Sequence, residues 1–187
     1  MSQLEFAVVF HNAAIPSGGT GREGVDISMF RPEPIGGDRL KGLMRDTAEN
    51  LLSIPSRLTD AVFGTVAAPS PWNWTAPREA PVGTGPEWKL SARHRVRIDP
   101  ATDAADHGSI ASAHHVWRPR WNFSIHQKSD LAPEDLADHQ LVLRVSALAT
   151  KHLGLWRRRG YGWIGITDAS GDITRDELEH VLDWRRP

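Results

Sequence analysis

The hydrophobic pattern divides the chain into six main segments. Leu4 to Phe10 is short, apolar and rich in Val and Phe, which predicts a buried strand. From Asp38 to Leu52, the residues Leu40, Leu43, Met44, Ala48, Leu51 and Leu52 recur on one helical stripe. Asp38 is placed as the N-cap of that helix, and Pro55 closes it. Trp88 to Ile98 alternates Leu90, Val96 and Ile98 with polar residues, predicting a strand with one basic side. Trp117 to His126 reads as another strand. Pro133 to His152 is a second helix, opened by its proline and carrying Leu136, Leu141, Leu143, Val145 and Leu148. Tyr161 to Thr167 is the last strand, followed by a short capped helix from Thr174 to Trp184. The order βαββαβ is the α+β, ferredoxin-like pattern that also underlies RNA-recognition (RRM-like) modules.

The segments between these elements predict insertions into a single domain over residues 1–187. Residues 12–37 form a Gly- and Pro-rich loop too long for a simple connector. Residues 67–86 hold five prolines together with Trp72 and Trp74, and read as an excursion packed on the surface. The small-residue, His-rich stretch from Pro100 to His115 reads as a protruding hairpin or mobile arm, with the insertion spanning 99–116.

Composition narrows the classes. A chain of 187 residues with 40% hydrophobic and 24% charged residues is ordinary for a globular protein. The absence of cysteine excludes disulfide frameworks, thiolate nucleophiles and cysteine-based zinc sites. No apolar run has the length of a membrane span and the first residues lack a leader pattern, so the expected compartment is the cytoplasm, without membrane partners. The net charge of −1 conceals segregation. Lys89, Arg93, Arg95 and Arg97 lie in one acid-free stretch, and Lys151, Arg157, Arg158 and Arg159 in another, while acids gather in 130–138 and 172–183. One basic and one acidic face are expected.

Two glycine-rich runs carry the candidate chemistry. In the first, Gly36 and Gly37 open the Asp38 helix, where backbone N–H groups are available to phosphate oxygens. Lys41 and Arg45 add charge one turn apart. In the second, Arg157, Arg158 and Arg159 precede Gly160, Tyr161 and Gly162. Here arginines grip phosphates and glycines let a strand lie close, while Tyr161 stacks on a base or sits in the core. Together the runs suggest one RNA-tracking surface built from both ends of the chain.

These motifs resemble those of the CRISPR-associated RAMP superfamily, above all the repeating backbone subunit of type III effector complexes. The helix-opening motif of that family is matched by Ile35, Gly36, Gly37, Leu40, Lys41, Gly42 and Arg45, with Gly36 where proline is usual. Its C-terminal glycine-rich loop is matched by Gly154, Arg159, Gly160, Tyr161 and Gly162, with Leu155 and Trp156 in place of small residues. Val96 to Asp99, Thr102 and His114 to Val116 are similar to the family's thumb, and Gly24 to Ser28 to the loop that carries its cleavage aspartate.

The resemblance implies a subunit that polymerises along crRNA, presents it to complementary target RNA and contacts other effector subunits. It also implies that Asp26 cleaves the target with Mg2+ or Mn2+, by attack of the adjacent 2′-hydroxyl, with Glu23 and Glu33 in the same loop. Ile110 in the thumb would wedge between base pairs. Two alternatives stay open: a non-catalytic architectural paralog, and a metal-independent crRNA-processing endoribonuclease using His11 as base. A loop aspartate bonding its own turn also accounts for Asp26. His107, His114 and His115 with Asp103 and Asp106 fit no helical metal motif and are expected on a solvent-exposed arm.

Overall fold

The computed structural model describes residues 1–15, 24–28, 33, 35–79, 90–117 and 120–184. Strand β1 (Gln3–Phe10) buries Leu4, Phe6, Val8 and Phe10 and turns its alternate residues the other way, the period of a strand with one covered face. It lies between two antiparallel neighbours, β7 (Arg120–Gln127) and β8 (Ile164–Asp168), and β7 pairs further with β3 (Trp72–Trp74) and β4 (Arg78–Glu79). The order β3-β7-β1-β8 is the ferredoxin-like arrangement, so the fold class is as expected.

The identity of one strand is not as expected. The edge position belongs to Trp72-Asn73-Trp74, inside the stretch read as a surface excursion. Both indoles are buried: Trp74 stacks on Phe63 at 5.7 Å, and Trp72 donates from Nε1 to Nδ1 of His139 at 3.1 Å. The expected strand from Trp88 exists as β5 (Leu90–Arg95), but it pairs with β6 (Ala111–Trp117) in a second sheet of order β2-β6-β5, where β2 is Ala13–Ala14. That correction carries another. His114 and His115 lie inside β6 and are buried, not on a solvent-exposed arm; His115 Nδ1 lies 2.9 Å from the Ser91 carbonyl, and burial lowers its pKa.

Helix α1 (Gly37–Asp46) has Gly36 as N-cap, with Asp38 in the first turn, where its charge suits the helix dipole. Its continuation to Leu51 is a wider π-turn. The Thr47 hydroxyl bonds back to the Leu43 carbonyl, and the Leu52 N–H reaches Thr47 at 2.9 Å. Pro55, read as a stop, is the N-cap of a further helix, α2 (Ser56–Phe63). Helices α1 and α3 (Pro133–Ala149) cover the apolar face of the main sheet.

Helix α4 (Arg175–Trp184) opens on a capping box between Thr174 and Glu177. Arg144 ties it to the sheet, bonding Asp168 at 2.6 Å and pairing with Glu177. Burial raises the Asp168 pKa, but hydrogen bonds from Ser170 and Arg144 outweigh it and hold the carboxyl below its ordinary range. Arg144→Ala takes the charged partner from Oδ2 of that side chain, which is 1% exposed, and leaves only the Ser170 bonds to Oδ1. It should cost about 2 kcal/mol in a urea melt and increase hydrogen exchange across α4 before the rest of the chain.

Candidate nucleic-acid interface

The two glycine-rich runs meet, although more than a hundred residues separate them. Thr47 at the end of α1 and Thr150 at the end of α3 share a buried hydroxyl–hydroxyl bond of 3.0 Å, so the loop leaving α3 starts beside α1. That loop faces α1 across a cleft of about 280 Å3, with Arg39, Gly42 and Leu43 on one wall and Leu153, Gly154 and Arg157 on the other. Adjoining hollows extend it past Lys151 and His152 to Arg158 and Arg159, and among the described residues Asp46 is the only acid that lines any of the three.

The second run is held rigidly in place. The N–H of Leu155 bonds the Ile15 carbonyl, and that of Gly162 bonds Ala13, each at 2.8 Å. At Gly162 (φ +69°) a Cβ would sit 2.0 Å from the Leu153 carbonyl, so glycine is obligatory there. Trp156 and Gly160, both left-handed, bracket a turn of 3-10 helix over Arg157–Arg159. All three arginines are exposed, and among the described residues none forms an ion pair. Three exposed guanidinium groups on a fixed turn present donors of the kind that phosphate oxygens accept. Tyr161 is half-buried and packs edge-on against Trp156 at 5.9 Å.

In the first run the residues divide. Gly37 is needed for packing, not for approach of a ligand: a Cβ there would lie 2.3 Å from the Trp74 carbonyl. At Gly36 the same position is 3.3 Å from Oε1 of Glu33. Arg45 is held internally. Its three nitrogens donate to Glu49 at 2.7 Å, the Gly64 carbonyl at 2.6 Å and Asp60 at 2.6 Å, the first of these being the main reason its pKa is raised. The cation that α1 turns into the cleft is Arg39, two residues after Gly37. Lys41 instead rests over the Trp74 ring, 5.3 Å from its centroid, beside a separate hollow lined by Asn73 and Lys128.

Asp26 meets the start of β6. Its Oδ2 accepts from the Ser112 N–H at 2.7 Å and the Ser112 hydroxyl at 2.9 Å, while Ile27 bridges to Ala113 of β6. Those bonds, that of the backbone first, lower its pKa, and it stays exposed. Ile110, two residues before Ser112, is 68% exposed. The hairpin around it is closed by the Arg97–Asp106 pair at 2.9 Å and also exposes Val96 and Ile98. Of the neighbouring acids, Glu33 is exposed and Glu23 lies outside the described residues.

A chain of contacts joins this aspartate to the arginine turn. Arg95 lies over the Trp156 ring at 4.7 Å and pairs in register with Ala111, the neighbour of Ser112. Among the described residues no three His, Asp or Glu side chains are grouped to hold a metal ion, and no helix is long and apolar enough to cross a membrane.

No protein-family model matches the chain, and no curated protein does. Solved structures match over most of its length. A chain of a type IV-B CRISPR complex aligns with TM-score 0.59 and 15% identity over 92% of both chains. The crystal structure of Cmr4 aligns with TM-score 0.58 and 11% identity, over 91% of this chain and 100% of that one. A chain of the type III-B Cmr-beta complex bound to cognate target RNA aligns with TM-score 0.57 and 15% identity, over 89% of this chain. This chain spans 60% of the length of that last one. At such identities the likeness shows a shared fold.

Proposed function

We propose that this chain is a crRNA-binding backbone subunit of a type III CRISPR effector complex, which presents the guide to complementary RNA and cleaves that target through Asp26. The observation that carries the reading is the meeting of the two glycine-rich runs in one basic cleft, on a fold shared with a subunit of an RNA-bound effector complex. Unpaired arginines on a fixed turn read backbone and not sequence, leaving specificity to base pairing.

Asp26 suits cleavage as an anion held in place. Its lowered pKa makes it a weak base at neutral pH, so its use is to orient and hold charge beside a 2′-hydroxyl. One oxygen is fixed by Ser112, leaving Oδ1 as the protein's contribution to Mg2+ or Mn2+, which would stabilise the developing charge.

The same two bonds favour a second reading, a non-catalytic architectural paralog in which Asp26 only pins the thumb. His11, the base that metal-independent processing would need, packs against Trp163 at 4.8 Å. The test is cleavage of complementary RNA by the assembled complex with Mg2+ or Mn2+. Asp26→Ala should slow the regularly spaced cuts by at least about a hundredfold with RNA binding retained, and chelation should do the same to the wild type. Cutting that is unchanged in Asp26→Ala removes Asp26 from the chemistry, and a wild-type complex that never cuts establishes the architectural reading.

A further inference from the structure

We propose that Trp163, flanked by His11 and His152 on the face of the main sheet opposite the helices, is a stacking platform for a base of single-stranded RNA. The proposal rests on the RNA-binding reading above and adds a contact to bases where the arginine turn contacts backbone.

The placement follows from strand alternation. Leu4, Phe6, Val8 and Phe10 of β1 point to the helices, as do Ile164 and Ile166 of β8, so His11 and Trp163 fall on the opposite face. The bridge between His152 and Trp163 sets a second imidazole beside the indole, giving the row His11–Trp163–His152 across three neighbouring segments. His11 and His152 are exposed and Trp163 is 53% exposed. Its ring meets His11 at 4.8 Å with a tilt of 54°, a contact that braces it while more than half of the residue stays exposed.

The indole has no route inward. The backbone carbonyl of Trp163 accepts from the His11 N–H at 2.9 Å, and its backbone N–H donates to Oδ1 of Asn12 at 3.0 Å. The next residue is fixed as well, with the Ile164 N–H on Lys151 at 2.9 Å. An apolar ring of this size held outward on a rigid backbone is how RNA-binding sheets present stacking surfaces.

Two further features connect the platform to a strand of RNA. Asn12 also donates through Nδ2 to the Gly160 carbonyl at 2.6 Å, so one side chain fixes Trp163 relative to the arginine turn. On the same face the row continues through Gly165 to Thr167, where a depression of about 620 Å3 is lined by Ala7, Asn122, Ser124 and Arg78, with Glu5 and Asp168 also on its wall. Gly165 keeps that path low: a Cβ there would lie 3.1 Å from Nε2 of His11.

The test uses the full chain, a short labelled single-stranded RNA and the same strand without its bases, read by fluorescence anisotropy. Trp163→Ala should weaken binding of the intact strand by about tenfold or more and leave the abasic strand unchanged, while Trp163→Phe keeps most of the preference for bases. Equal losses on both strands, or none, overturn the proposal while leaving RNA binding itself intact. Loss of self-association with unchanged RNA affinity also overturns it, assigning the indole to a protein contact. A wild-type chain that binds neither strand overturns the RNA-binding reading together with the platform. Because the abasic comparison can be made on the wild type alone, a poorly folding Ala variant does not decide the outcome.

Discussion

Replacing Arg157, Arg158 and Arg159 together with alanine is expected to weaken binding to single-stranded RNA by about a hundredfold at moderate salt. The slope of log K against log salt should shrink by about 2, the share of three phosphate contacts on a single strand. These side chains are exposed and, among the described residues, form no ion pair, so their removal strands no described acid and the melting temperature should hold. Arg45→Ala is the contrasting control. It strands Glu49 and Asp60, so it should lower stability and leave the salt slope alone. Anisotropy titrations across a salt series read both. A triple variant that binds as the wild type does would move the phosphate contacts to another face.

The largest effect on stability belongs to Trp72. Trp72→Ala should cost about 3–5 kcal/mol, a large part of the stability of a domain of this size. The indole is 2% exposed, and its loss opens a cavity and leaves the buried imidazole of His139 without its donor. Trp72→Phe keeps most of the volume and loses only the N–H, so it should cost about 1–3 kcal/mol. Urea melts separate the two. Because an indole can only donate, Nδ1 of His139 must accept and the ring must be neutral. Burial lowers the pKa of His139 in agreement with this. The unfolded chain then binds a proton that the folded chain refuses. Stability from this ring is therefore complete above the unfolded-state value of about 6.5 and falls as pH drops below it.

Elements with several turns or alternations were legible in the sequence. β1, β7, β8, α3 and the capped α4 fall where the periodicity puts them, within a few residues at their ends. The edge strand was not legible, because Trp72-Asn73-Trp74 completes a single alternation among prolines and cannot be distinguished from a loop by period. Trp88 to Ile98 holds a genuine strand, but which sheet a strand joins depends on partners far along the chain. Pro55 marked a boundary correctly, yet a proline there opens a helix as readily as it ends one. His114 and His115 misled because histidine suggests solvent; the second sheet buries them.

The site was legible in outline and not in its division of labour. Both glycine-rich runs stood out locally, and their meeting depends on the Thr47–Thr150 contact, which no local pattern reports. Arg45 looked like a phosphate ligand because Asp60, its partner fifteen residues on, is recruited only by the packing of α2 on α1. The same limit hid Arg39 and Trp163, whose exposure depends on which face of a helix or sheet is covered. The link from Asp26 to the arginine turn through Arg95 and Trp156 is likewise a product of the second sheet.

The central claim is that one surface, assembled from α1 and the Gly154–Gly162 loop, holds RNA. Photocrosslinking of the chain to single-stranded RNA carrying 4-thiouridine, followed by mapping of the linked peptides, tests it most directly. Crosslinks should concentrate in residues 35–45 and 151–163 and vanish from both in the Arg157/Arg158/Arg159 triple variant. Crosslinks confined to α2, α4 or the outer edge of the sheet, with these two segments unmodified, would contradict it.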